Sequence, residues 1–180
     1  MLTNKSIIIR TKTSNTNKMN STKHRKIKII VYSLYIILID QVSKHIVLNT
    51  LGFGRPENII PNLLNFNLVK NKGAAFSLFS NSTMLLTLTS IFAALLLIGI
   101  IVKSPPKSYW NSIGISYLLG GTVGNGIDRL IKGYVLDFIE LVPINFPIFN
   151  VADISINIAI ICFIIDAIKI KNIRNKNLKQ

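Results

Sequence analysis

GGTVGNGIDRLIKGYVLDFIELVPINFPIFNVADIS, residues 120–155, is the stretch around which the rest of the chain is organised. Its aspartates, Asp128, Asp137 and Asp153, stand among Asn125, Arg129 and Asn150 in a chain that has only seven acids. Apolar runs long enough to cross a bilayer flank it on both sides. An acid at the edge of a membrane span is expensive and marks function more often than not.

Working outward, the composition supports a membrane class. Half the chain is hydrophobic (49%), and the apolar residues cluster into runs of about 20, the length a ~30 Å hydrocarbon core requires. The net charge of +14 raises the question of nucleic acid. The basic residues, however, sit in two tails and one short connection, without a basic stripe interleaved with aromatics, so no nucleic-acid partner is expected. Cys162 is a single cysteine inside an apolar run and reads as a small buried hydrophobe. His24 and His45 are far apart, with no HExxH or cysteine pair, so no metal site is expected.

Met1 to Lys28 is polar, basic and acid-free, and reads as disordered; residues 1–26 are assigned to a basic cytoplasmic tail. Ile27 to Leu48 forms a first span, with Asp40 and Lys44 one helical turn apart in its outer part. Asn49 to Asn81 is a polar excursion in which Leu64, Phe66 and Leu68 alternate, predicting short strands that lie on the membrane. Thr83 to Val102 is a second, uncharged span, stopped by the prolines of KSPPK at 103–107. A third span starts at Tyr109 and runs through Gly120, Gly121 and Gly124 towards Arg129; the glycines suit close helix packing or a close substrate backbone. Ala152 to Ile168 is a fourth. The expected architecture is an integral membrane, mainly α protein: four transmembrane helices with a small extracytoplasmic β-rich element, in one domain over 27–170, followed by a basic tail at 171–180.

Charge sets the orientation. Fifteen of the 21 basic residues lie in the N-terminal tail, the 103–107 connection and the C-terminal tail, which an even number of spans brings to one side. The positive-inside rule makes that side cytoplasmic, with both termini there. All the acids except Asp166 then fall on the outer half.

Asp137 lies in the apolar, strand-like run YVLDFIEL, where a carboxylate destabilises unless it is paired or protonated. Asp153 opens the fourth span, where capping the helix is the plainer reading. Brought together, two such acids tend to share a proton, so one can activate water while the other donates to a substrate. Asn125, Asp128 and Arg129 share a helical face, suited either to a salt bridge at the helix end or to hydrogen-bonding a substrate backbone. Asp40 and Lys44 read as a structural pair. Asn71 and Gly73 open an ordinary-looking turn, and Asp166 with Lys169 reads as a solvated or snorkelling pair. A transporter would need polar residues through several spans, and the second span has only Thr and Ser. A purely structural membrane subunit would need the acids for folding alone.

Five blocks together resemble the lipoprotein signal peptidase (signal peptidase II) family: Asp40-Gln41-x-x-Lys44, Asn71-x-Gly73-Ala74-Ala75-Phe76-Ser77, Gly120-Gly121-x-x-Gly124-Asn125-x-x-Asp128-Arg129, Val135-x-Asp137-Phe138 and Phe149-Asn150-x-Ala152-Asp153. The resemblance covers residues 27 to 170. It implies an aspartic endopeptidase of the bacterial inner membrane, acting near the extracytoplasmic face. Such an enzyme removes the signal peptide from diacylglyceryl-modified prolipoproteins just before the lipidated cysteine. Asp137 and Asp153 match the catalytic pair. Asn71, Asn125, Arg129 and Asn150 match substrate-binding positions, with Asp40, Lys44, Gly73 and Asp128 in support. The implied partners are the lipid-modified substrate and membrane lipid, the enzyme is expected to be a monomer, and no cofactor is implied.

Overall fold

Between Asn4 and Thr50 the chain has no glycine or proline, and a single helix, α1 (Asn4–Thr50), runs the whole distance. At ~1.5 Å per residue its 47 residues reach ~70 Å, more than twice the thickness of a bilayer core. Residues 4–26, expected as a disordered tail, form the first part of this helix. With no breaker in the way, a helix anchored by its apolar half propagates cheaply, one hydrogen bond per residue fixed. The computed structural model describes residues 4–73, 82–144 and 146–177, with side chains described from 19 to 175 within those segments. Ala74 to Ser77 of the second sequence block lie outside the described residues.

The remaining elements are β1 (Glu57–Ile60), β2 (Leu64–Asn71), α2 (Thr83–Lys103), α3 (Tyr109–Lys132), β3 (Val135–Leu141) and α4 (Val151–Asn177). The strands form one antiparallel sheet in the order β1-β2-β3. The expected β element is therefore present, but its third strand comes from the far side of α3. Among the described residues three helical stretches are long and apolar enough to cross a membrane: Met19–Thr50, Thr83–Lys103 and Val151–Asn175. Their outward faces carry exposed Leu34, Leu38, Leu88, Phe92, Ile161 and Ile164, the surface a lipid solvent would cover.

α3 is different. It is long enough, with 24 residues, but serine, glycine, asparagine and charge dilute its apolar content. Its burial comes from the other helices. Cβ atoms placed on Gly120, Gly121 and Gly124 would meet Ile36 at 2.7 Å, the Ala152 carbonyl oxygen at 2.5 Å and Asp40 at 2.6 Å. The glycines thus let α1 and α4 close onto α3 on two sides, which is the packing alternative of the two read from sequence.

Two apolar clusters hold the ends. Ile29, Leu97, Ile101, Ile115 and Leu119 join α1, α2 and α3 at one end. Val47, Leu51, Leu68, Leu136 and Phe138 seat the sheet on α1 at the other. The first end is basic: Lys26 Nζ donates to the Val102 carbonyl at 2.5 Å and Arg25 to that of Pro106 at 3.1 Å, so cations meet the C-terminus of α2. Asp166 is also at this end, and the solvated or snorkelling pair expected with Lys169 is corrected. Asp166 is only 7% exposed and accepts a hydrogen bond from Ser108. Lys169 lies over the Trp110 ring, 5.1 Å from its centroid. Helix packing of α4 on α3 decides this, because Asp166 falls on the face turned towards Ser108.

Candidate active site

Three local devices bring the polar residues of 120–155 together. The first ends α3: Gly133 takes the left-handed conformation (φ 77°) and its N–H bonds the Arg129 carbonyl at 3.1 Å, turning the chain straight into β3. The second is register. β2 and β3 pair Val69 with Asp137 and Asn71 with Val135, so Asn71 and Asp137 are diagonal neighbours on one face, and Asn71 Nδ2 donates to Asp137 Oδ2 at 2.8 Å. The third lies on the other edge of β3, where Phe149 bridges Ile139 through bonds of 2.9 and 3.1 Å. That sets Asn150 beside Asp137 just as α4 begins.

Asn150 then links the two acids. Its Oδ1 accepts from the Asp153 N–H at 3.0 Å, and Asp153 Oδ2 accepts from the Asn150 N–H at 3.2 Å, a reciprocal cap on the first turn of α4. Its Nδ2 donates to Asp137 Oδ1 at 2.6 Å. Asp153 does take part in capping, as the plainer reading of the sequence had it, but as the returning partner; Asn150 is the cap. The remaining oxygen, Asp153 Oδ1, accepts from Asn125 Nδ2 at 2.8 Å. Each of the four carboxylate oxygens thus receives one neutral N–H, and among the described residues neither acid is ion-paired. Burial, and after it the charge of Asp153, push the Asp137 carboxyl up to about 6 against the bonds from Asn71 and Asn150.

Asp137 and Asp153 share a cavity of about 1010 Å³ with Asn71, Gly73, Asn125 and Arg129. Its other walls are largely apolar: Phe146, Pro147, Ile148 and Phe149 over the sheet end, and Ile154, Ile158 and Ile161 down the flank of α4. A polar corner at the head of an apolar groove suits a substrate with a peptide and an aliphatic part. Arg129 Nη2 donates to the Gly73 carbonyl at 3.3 Å, and the Gly73 N–H bonds Asn71 Oδ1 at 2.9 Å, tying the end of β2 to α3. Asn150 is fully buried behind this corner and does not line the cavity.

Asp40, Lys44 and Asp128 form a separate cluster behind the acids. Lys44 Nζ bonds Asp40 Oδ2 at 2.9 Å, Asp128 Oδ2 at 3.0 Å and Asn125 Oδ1 at 2.9 Å. Asp128 is also paired with Lys132 at 2.8 Å, a partner its i,i+4 spacing made visible in the sequence but which was not singled out. That bridge ties down the helix end, as one of the two readings of this face had it, through Lys132. Asp40 Oδ1 accepts the Ala152 N–H at 2.9 Å and Asp128 Oδ2 the Leu136 N–H at 3.2 Å, so the cluster joins α1, α3, β3 and α4. Gln41 adds a bond to the Gly124 carbonyl at 3.1 Å.

Comparison with known proteins identifies the family. The family model for signal peptidase (SPase) II matches residues 32–169. A lipoprotein signal peptidase of Parasynechococcus marenigrum (strain WH8102) is 47% identical over 131 residues, 73% of this chain and 82% of the relative. One of Streptococcus agalactiae serotype Ia is 39% identical over 153 residues, 85% of this chain and 99% of the relative. A solved bacterial membrane enzyme, determined by the in meso method, superposes with a TM-score of 0.74 at 33% identity, covering 79% of this chain and 88% of its own. With the family model spanning residues 32–169 and relatives 39% and 47% identical over more than two thirds of its length, this chain belongs to the signal peptidase II family.

Proposed function

We propose that this chain is an aspartic endopeptidase of the bacterial inner membrane that removes the signal peptide from diacylglyceryl-modified prolipoproteins, cutting just before the lipidated cysteine. The observation that carries the reading is Asn150, which binds Asp137 through its side chain and Asp153 through its cap, holding at one cavity two acids that make no ion pair among the described residues. Two carboxylates so placed share one proton. The ionised one takes a proton from water, whose oxygen attacks the scissile carbonyl carbon. The protonated one hydrogen-bonds the carbonyl oxygen as it becomes negative. Collapse breaks the C–N bond, a dyad proton passes to the leaving amine of the lipidated cysteine, and the signal peptide leaves with a new carboxyl end.

Arg129 makes no ion pair among the described residues and lines the cavity, which fits it to steady the oxyanion or the substrate backbone. Asn71 and Asn125 complete the polar corner, with Asn150 acting from behind it; Gly73, Asp40, Lys44 and Asp128 support it. The apolar groove along α4 would take the acyl chains, each buried methylene adding ~0.8 kcal/mol. We assign four spans, with α3 the protein-encased one, a monomeric peptidase domain over 27–170, both basic tails in the cytoplasm and the dyad near the outer face.

The test is to incubate the purified enzyme with a prolipoprotein before and after diacylglyceryl transfer and follow release of the signal peptide. Release from the modified form only is expected. Absence of release would refute the function, and equal rates on both forms would refute recognition of the lipid. Cysteines introduced between residues 55 and 75 should label from outside the cell; labelling from the cytoplasm would overturn the orientation.

A further inference from the structure

We propose that Lys44 is a positioning residue for the dyad, acting through the Asn125 amide, in addition to any part it has in holding the helices together. The inference deepens the proposed function and rests on it. Lys44 is entirely enclosed, and an ammonium group can only donate. The Asn125 atom that faces it at 2.9 Å is therefore the oxygen. A planar amide with its oxygen on Lys44 must turn its NH₂ the other way, and there it meets Asp153 Oδ1 at 2.8 Å. Reversed, the same amide would put an N–H against Lys44 and an oxygen against a carboxylate, two repulsive contacts in place of two bonds.

Asn125 Oδ1 also accepts from Asn150 Nδ2 at 3.1 Å. The bond from a charged donor is about twice as strong as one from a neutral amide, so Lys44 dominates the choice. Asn150 is oriented by a parallel device: its oxygen takes the Asp153 N–H, which leaves its NH₂ for Asp137. Both acids are thus met by donors whose direction is dictated from outside the cavity, one by a buried cation and one by a helix N-terminus. Such preorganisation costs nothing at the moment of reaction.

A purely architectural role for Lys44 is the rival explanation, because the cluster of Asp40, Lys44, Asp128 and Lys132 is charge-balanced. Lys44→Met alone would unbalance it and confuse the two roles. The paired variant Asp40→Asn/Lys44→Met removes one charge of each sign, keeps side-chain volume, and leaves an amide oxygen at position 40 to accept from the Ala152 N–H. Asn125→Asp is the complement: it keeps an acceptor for Lys44 and Asn150 but loses the donor to Asp153.

Three readouts on the intact chain in detergent separate the roles: melting temperature, kcat and KM on diacylglyceryl-modified prolipoprotein, and the titration of the Asp137 carboxyl by ¹³C NMR. The charged groups around the dyad are Lys44 and Asp40 on α1, Arg129 on α3 with Asp128 acting on it, and Lys70 on β2 and Lys72 just after it, which line the same cavity. In the paired variant we expect near-wild-type melting, kcat lower by about 10- to 100-fold with KM little changed, and Asp137 titrating at higher pH. Asn125→Asp should lose kcat comparably. Wild-type kcat in either folded variant, or an Asp137 titration that does not move when Lys44 is removed, overturns the proposal. The titration needs no turnover, so a wild-type enzyme that fails to cleave would sink the functional reading while Lys44 is still judged by NMR.

Discussion

Two pairs of aspartates stand back to back in this molecule, and their surroundings differ. Asp40 and Asp128 are inaccessible to solvent and face lysines. Asp137 is as deeply buried, at 1% exposure, yet among the described residues it and Asp153 receive only neutral N–H donors. A countercharge in hydrogen-bond contact makes a carboxylate permanent and therefore architectural. Neutral donors hold its position but leave its proton negotiable. Burial alone does not separate the two groups; the lack of a cation in contact, and the cavity beside them, set Asp137 and Asp153 apart.

The comparison breaks most plainly if the two pairs respond alike to neutralisation. Asp137→Asn and Asp153→Asn should each lower cleavage by about 1000-fold or more while the protein still accumulates in the membrane, and the double variant should be little worse than either single one. Asn can still return the cap bond at 153 but cannot pass a proton, so an active Asp153→Asn enzyme would demote that residue to a cap. Asp40→Ala should do the opposite. It leaves Lys44 short of a countercharge and the Ala152 N–H without its acceptor, costing about 3 to 5 kcal/mol. Its signature is loss of folded protein in thermal denaturation, with remaining enzyme losing activity in proportion or more.

The contrast can be sharpened by pH. The folded Asp137 carboxyl titrates at about 6 against an ordinary 3.8, so between those values the folded chain keeps a proton that the unfolded chain has released. Stability from this group is therefore highest in acid, falls as pH rises from 3.8 to about 6, and stays lower above that, by about 3 kcal/mol in all. Melting curves of the wild type and Asp137→Asn across this window should differ by that decline. Parallel curves would show that Asp137 carries an ordinary proton.

Smaller effects test the scaffold that brings the two groups together. Gly121→Ala drives a methyl group into the Ala152 carbonyl, where backbone must yield, and should cost about 1 to 3 kcal/mol, measurable as a lower melting temperature. Gly126→Ala meets only Ser90 at 3.4 Å and is the control expected to change little. Asp166→Asn should be smallest, under about 1 kcal/mol and without effect on turnover, because the amide oxygen can still accept from Ser108. A large loss of cleavage there would tie the basic end of the molecule to the dyad.

Much of this was legible in the sequence, and the misses have causes. Length and apolarity alone mark α1, α2 and α4, and the i,i+4 spacing of Asp40 and Lys44 is an intrahelical fact that needs no tertiary contact. The strand character of residues 135–141 followed from their β-branched and aromatic content. The polar, basic composition of residues 4–26 does not itself signal a helix; helix there follows from the lack of a breaker before the apolar span. Glu57–Ile60 has too few residues to show a period, and only pairing with β2 makes it a strand.

What the sequence determined by itself is therefore local: which runs are apolar enough to leave water, where the acids are scarce, and which residue types recur in five blocks. Tertiary structure decided which neighbours each acid has. Lys44 reaches Asn125 across 81 residues and Asn71 reaches Asp137 across 66, and both contacts depend on helix packing through glycines and on strand register. A carboxylate's chemistry is set by the charges and donors within a few ångströms of it, and those neighbours come from distant parts of the chain.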